Sequence, residues 1–190
     1  IVGLFASSQA SDLTLTMSTA GYTEVGDQAI TAVSPTANLG TYHKLMGASP
    51  DATAQVSIPG TNTAQGYVIL AAVFRGVDQT TPMDATATTA TSAATILSDP
   101  PSITPVTVGA WIVSLGGCAH GNGAGNFTVT GASSSTVGNY NATTNDISGA
   151  IGVVKKHPLG AFDPAAWTHS VADTGSVCNA SITLALRPAI

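Results

Sequence analysis

Gly66-Tyr67-Val68-Ile69-Leu70-Ala71-Ala72-Val73-Phe74 is the stretch on which the reading of the fold turns. Its seven apolar residues from Val68 to Phe74 are the longest such run in a chain of 190 residues. A helix that spans a bilayer needs about 20, so a transmembrane helix is excluded. A short apolar run reads either as a strand buried on both faces or as a piece of buried helix. Its length, its β-branched residues and the glycines that flank it select the strand. This reading makes 66–74 the central strand of the core.

Working outward, other segments carry the period of two that marks a half-buried strand. Leu13-Thr14-Leu15-Thr16-Met17 alternates strictly, with Leu13, Leu15 and Met17 expected to face the core. Gly21-Tyr22-Thr23 reads as a turn into a polar stretch. Residues 29–33, 41–46, 54–58, 111–115, 127–130, 150–155 and 167–171 read as further strands. Residues 85–95 are a Thr/Ala tract that suits an edge strand or a surface crossing, since Thr is a poor helix former. Residues 103–108 alternate, with Pro105 arguing for an edge. Residues 176–186 close the chain as a strand with Val177, Ile182, Leu184 and Leu186 inward, and the odd step between 177 and 182 predicts a bulge. Residues 116–126, 131–146 and 158–166 read as loops. The result is an all-β chain: one domain over 1–190, a single antiparallel β-sandwich of about ten strands, jelly-roll-like.

Composition agrees. Thr and Ser make up about a quarter of the chain, and Gly and Pro add 20 and 10 residues. Charged residues are 8%, with only five Lys and Arg and a net charge of −5. A chain with no basic footprint is not expected to bind nucleic acid. The high apolar fraction of 44% argues against disorder. No basic segment followed by an apolar one opens the sequence, so no signal peptide is expected within it.

Catalytic signatures are thin. No GxSxG elbow is present, and a single Glu (Glu24) among scattered Asp residues offers no evident carboxylate pair. Gly121-Asn122-Gly123-Ala124-Gly125 superficially resembles a phosphate loop, but the segment after it reads as strand rather than helix, so it is taken as an inter-strand loop. His43, His120, His157 and His169 form neither HxH nor HExxH, and no EF-hand spacing occurs, so no metal and no cofactor are expected. Cys118 and Cys178 are compatible with either a disulfide or two buried thiols. Arg75 follows the 66–74 strand directly, and a buried guanidinium needs a carboxylate. An ion pair with Asp78 or Asp84 is expected there, fixing the turn. The sequons at Asn126, Asn141 and Asn179 are assigned no role.

Several phrases, taken in order, resemble a known family: Gly21-Tyr22-Thr23; Tyr42-His43-Lys44; Phe74-Arg75-Gly76-Val77-Asp78 with Pro82-Met83-Asp84; Pro101-Ser102-Ile103-Thr104; and Leu184-Ala185-Leu186-Arg187-Pro188-Ala189. They are similar to the Thr/Ala/Gly-rich β-sandwich proteins of tailed phages and prophages. The resemblance spans nearly the whole chain and implies a non-enzymatic role on the virion surface, as a capsid decoration protein or a tail or fibre module. It implies other virion proteins, major capsid or tail proteins, as partners. A homo-oligomer is the default for such modules. The apolar opening Ile1, Val2, Leu4 and Phe5 is read equally as a docking segment for a neighbour and as the first strand of the domain. The alternative function is a glycan-binding adhesin, extracellular or on a cell surface. Its aromatic platform would come from Tyr22, Tyr140 and Trp167, which lie near predicted turns.

Overall fold

The computed structural model describes residues 1–8, 11–30, 35–58, 66–93, 97–121, 125–140, 146–170 and 178–189. Among these there is no helix, and every strand pairing is antiparallel. One sheet holds β3 (Thr23–Ile30), β4 (Thr36–His43), β1 (Val2–Ser8) and β6 (Tyr67–Ala71), in that order. A second holds β11 (Ser134–Tyr140), β12 (Asp146–His157), β9 (Ala110–His120), β14 (Cys178–Leu186) and β7 (Met83–Ala93). The two lie face to face. Their shared core contains Phe5, Leu39, Val68 and Leu70 from the first sheet and Val113, Leu115, Ile151, Ile182 and Leu184 from the second. At the margins β3 lies against β7 and β6 against β11.

Both sheets are covered on their outer faces near the middle. On the first, β1 is buried along its whole length. Phe5 enters the shared core, while Val2, Leu4 and Ala6 pack under Leu13, Leu15 and Tyr42. On the second, β9 is buried almost throughout. Its outer face lies beneath a small sheet of β10 (Phe127–Thr128), β13 (Trp167–His169) and β8 (Leu97–Ser98). A last pair joins β2 (Thr16–Met17) to β5 (Val56–Ser57).

Glycines inside strands make this layering possible. Gly117 and Gly149 stand opposite one another on β9 and β12. A Cβ on either would come within 2.8 or 2.6 Å of the Phe5 ring. On the outer face, a Cβ on Gly152 would meet Trp167 at 2.8 Å, and one on Gly116 would meet Ser98 Oγ at 2.7 Å. Phe5 and Trp167 therefore occupy the space that a side chain at these glycines would take, a use of strand glycine that trades propensity for close approach.

Several expectations need correction. The run 66–74 is not the central strand: β6 is the outermost strand of its sheet, with Val68 and Leu70 inward and Tyr67 and Ile69 outward. Burial on both faces belongs instead to the inner strands, β1, β4 and β9 and most of β12 and β14, which have the opposing sheet on one side and covering segments on the other. For the same reason Ile1, Val2, Leu4 and Phe5 are not a docking segment. β1 sits inside its sheet between β4 and β6, and Phe5 is fully buried. Residues 116–120 are strand rather than loop, and so are 134–140 and 23–28. Residues 103–108 are not a strand; Ile103 makes one isolated bridge to Phe162. Leu13 and Leu15 are buried as expected, although only Thr16–Met17 of that segment pairs. Of residues 85–95, those to Ala93 belong to an edge strand, β7, and 94 and 95 lie outside the described residues. In β14, Ile182, Leu184 and Leu186 are inward, but its irregularity against β7 falls after Thr183. Val177 lies outside the described residues.

Candidate functional site

The outer face of β9 builds a polar cluster. Successive side chains of a strand alternate faces. Val113, Leu115 and Ala119 enter the shared core, while Ile112, Gly116, Cys118 and His120 turn the other way. The neighbouring strands set three more polar residues at the same level: Asp146 across from His120, Ser148 across from Cys118 on one side, and Asn179 across from Cys118 on the other. All are buried.

The small sheet closes over them. β13 turns Trp167 and His169 inward and Thr168 outward. His169 stacks on His120 with ring centroids 4.3 Å apart and planes 18° off parallel. Phe127 meets His169 edge to face at 4.9 Å. The Cys118 sulfur and one nitrogen from each imidazole lie within 4.8 Å of one another. Burial pushes the His169 imidazole below its ordinary pKa, and the Gly125 carbonyl partly opposes the shift. Ser148 donates to that same carbonyl at 2.6 Å. A thiol and two imidazoles are the donor set that zinc and copper take.

None of the four histidines falls in an HxH or HExxH motif. The overlooked signal was Cys118-Ala119-His120, two donors spaced to share one face of a strand. Gly116-Gly117 hides it, because adjacent glycines read as the start of a loop.

The other expected site residues lie apart from this cluster. Arg75 is exposed and makes no ion pair among the described residues. Asp84 instead accepts from Arg187 Nε at 3.2 Å, and Asp78 accepts from the Thr80 and Thr81 N–H groups at 2.7 and 3.0 Å. The return of β14 beside β7 brings Arg187 to Asp84 across 103 positions, so the guanidinium nearer in sequence loses. Trp167 is 1% exposed and serves as core, so it is not a glycan platform. Tyr22 lies beneath the Lys44 ammonium at 5.4 Å. Tyr140 is exposed and stacks on Tyr67. Cys118 is a buried thiol. The register sets Cys178 across from Ala119 and Asn179 across from Cys118, and the Cys178 side chain lies outside the described residues.

A second charged cluster lies on β3. Burial, followed by the charges of Asp12 and Glu24, pushes the Asp27 carboxyl up to about 6, against the Gln28 N–H that favours its charged form. The folded value then lies above the unfolded value of about 4, so the native state holds the extra proton. Stability contributed by this group is present below pH 4 and is lost as the pH rises through about 6. Asp27→Asn is expected to raise stability at pH 7.5 while changing little at pH 4.5. The gain is expected to stay under about 1 kcal/mol, because the group is partly solvated. Urea titrations at the two pH values read it directly.

Comparison with family models, curated proteins and solved structures finds no match to this chain.

Proposed function

We propose that the chain is a non-enzymatic structural module on the surface of a tailed-phage particle, decorating the capsid or forming part of a tail or fibre. One observation carries the reading: four of the five motifs behind the resemblance meet in pairs as closures of the fold. The Phe74–Asp78 turn and the Leu184–Ala189 ending form one clasp. Val77 bridges Pro188, Asp78 N donates to Arg187 O at 2.9 Å, and Ala189 N donates to Gly76 O at 2.8 Å. Gly76 adopts φ 73°, a conformation that suits glycine. Arg187 N donates to Pro82 O at 2.9 Å, and Asp84 takes the guanidinium.

The Gly21-Tyr22-Thr23 turn and the Tyr42-His43-Lys44 strand end form another clasp. Lys44 Nζ donates to Ala20 O at 2.9 Å over the Tyr22 ring, and Thr23 pairs with His43. A signature spent on closing the fold suits a family whose members share a rigid scaffold and differ at the surface. Assembly with copies of itself and with shell or tail proteins then falls to exposed apolar side chains such as Val73, Val106 and Val108.

Quantitative mass spectrometry of purified particles tests the reading. A copy number near that of the major shell protein is expected for a decoration module, and a few copies per particle for a tail or fibre element. Complete absence would overturn it.

A second reading, recognition of a host-surface glycan, is favoured by one feature. Tyr67 and Tyr140, 52% and 42% exposed, lie nearly parallel with centroids 6.1 Å apart where β6 meets β11. Paired exposed rings suit stacking against sugar faces. A glycan array probed with the chain and with Tyr140→Ala checks it: a hit lost in the variant supports recognition, and no hit removes it.

A further inference from the structure

We propose that Cys118, His120 and His169 bind one Zn²⁺ ion that fastens the small β10–β13–β8 sheet onto the five-stranded sheet. The three donors come from two strands far apart in sequence and are brought within 4.8 Å of one another by the fold. In a tetrahedral zinc site the bonds are about 2.3 Å to sulfur and 2.0–2.1 Å to nitrogen, which sets ligand atoms roughly 3.3–3.6 Å apart. Binding therefore needs this triangle to close by about 1 Å and the two imidazoles, now stacked 18° off parallel, to turn so that the ion lies in the plane of both rings. Both histidines and the cysteine sit on strands, so the movement falls to side-chain torsions and to the three-residue β13.

Burial and surroundings point the same way. Phe127, Trp167 and Ala150 make an apolar shell around Cys118, and Phe127 also contacts His169. Aliphatic side chains would fill such a space at lower cost than two imidazoles. No hydrogen bond of standard geometry reaches either ring nitrogen of His169 within the described residues, although the Gly125 carbonyl lies close by. Ligating histidines nearly always engage a carboxylate or carbonyl through the second nitrogen. Asp146 stands in register across from His120, and the Gly125 carbonyl beside His169, to serve in that way. Three protein ligands leave the fourth position to water.

The role assigned to the ion follows from strand length. The small sheet is made of strands of two, three and two residues, which have little pairing of their own to hold them in place. A bond from β13 to β9 ties that sheet down. On binding, the Cys118 thiol gives its proton to solvent and its sulfur lone pair to the ion. One proton is released per ion, and no electron changes hands.

The test uses the full chain, made metal-free with a chelator and reduced, with Co²⁺ as the spectroscopic probe. One equivalent of Co²⁺ is expected to produce a sulfur-to-cobalt charge-transfer band and the strong visible bands of a tetrahedral site, both abolished when Zn²⁺ displaces it. Cys118→Ser is expected to remove the charge-transfer band, and Cys178→Ser to keep it. His169→Gln is expected to weaken binding at least tenfold. In the wild type, Zn²⁺ at a hundredfold excess over its Kd is expected to raise Tm by about 5–10 °C. A wild-type protein that gives no cobalt band overturns the proposal whatever the variants do. So does a band that survives Cys118→Ser, or cobalt that Zn²⁺ fails to displace. A virion role and this site stand or fall separately, since particle composition does not enter the titration.

Discussion

Asp84→Ala is expected to cost about 2–4 kcal/mol, from the loss of hydrogen bonds that two backbone N–H groups and an arginine make to a buried carboxylate. The Asp84 side chain is fully buried. It accepts from the Val106 and Thr107 N–H groups at 2.7 and 2.9 Å and from Arg187 at 3.2 Å. Alanine would strand two backbone donors in the turn after Pro105 and release the arginine that holds the end of β14. Against a total stability of about 5–15 kcal/mol for a domain, the loss is large. Arg75→Met, at an exposed position, serves as the control and is expected to leave Tm unchanged.

The same carboxyl has a pH signature. Burial pushes it up, but hydrogen bonds from Thr107, Val106 and Arg187 outweigh burial and hold it below the ordinary value. The folded pKa is therefore under the unfolded value of about 3.9. The stabilisation is complete above that value and disappears as the pH falls through the folded one. Acid titration of the wild type is expected to show stability falling below about pH 4. Asp84→Asn is expected to flatten that limb while being less stable at neutral pH. A wild-type limb matched in slope by the Asn variant would remove Asp84 from the account.

The second large effect is expected at the Phe5 cradle. Phe5→Ala empties the middle of the shared core and is expected to cost about 3–5 kcal/mol. Gly149→Ala drives a Cβ to 2.6 Å from the ring and is expected to cost about 1–3 kcal/mol, as overpacking does. The two changes are coupled in sign. With the ring gone, the new methyl group enters the space it left. The double variant is expected to lose at least about 1 kcal/mol less than the sum of the single losses. Strict additivity in a denaturant-melt cycle would mean that the glycine is needed for the backbone and not for the ring.

The two predictions show which parts of this protein were legible in advance. Leu13 and Leu15 revealed their burial through alternation with threonine, and the inward positions of β14 did likewise. The Thr/Ala tract of β7 left an edge strand and a surface crossing equally open, and the pairing with β14 decides for the edge. The run at 66–74 misled. Alternation there is masked by Ile69 and Ala71, which face outward on an edge strand but are apolar like their inward neighbours. The strand at 116–120 was missed for the opposite reason. Gly116 and Gly117 look like a turn until the rings of Trp167 and Phe5 are placed on them. The clasp partner of Asp84 was misassigned because proximity in sequence favoured Arg75. The metal-ligand cluster was missed because His169 reaches Cys118 and His120 only through the covering sheet.

The sequence by itself determined that the chain is all-β, poor in charge and without a membrane-spanning helix. Those properties follow from composition and from a side-chain period of two, both local. The tertiary structure alone decided which strands became interior, which outer faces were covered, which arginine met Asp84, and that a thiol and two imidazoles converge. Those outcomes depend on pairing between residues far apart in the chain, and the register of each pair is set by the packing of the whole core rather than by any segment within it.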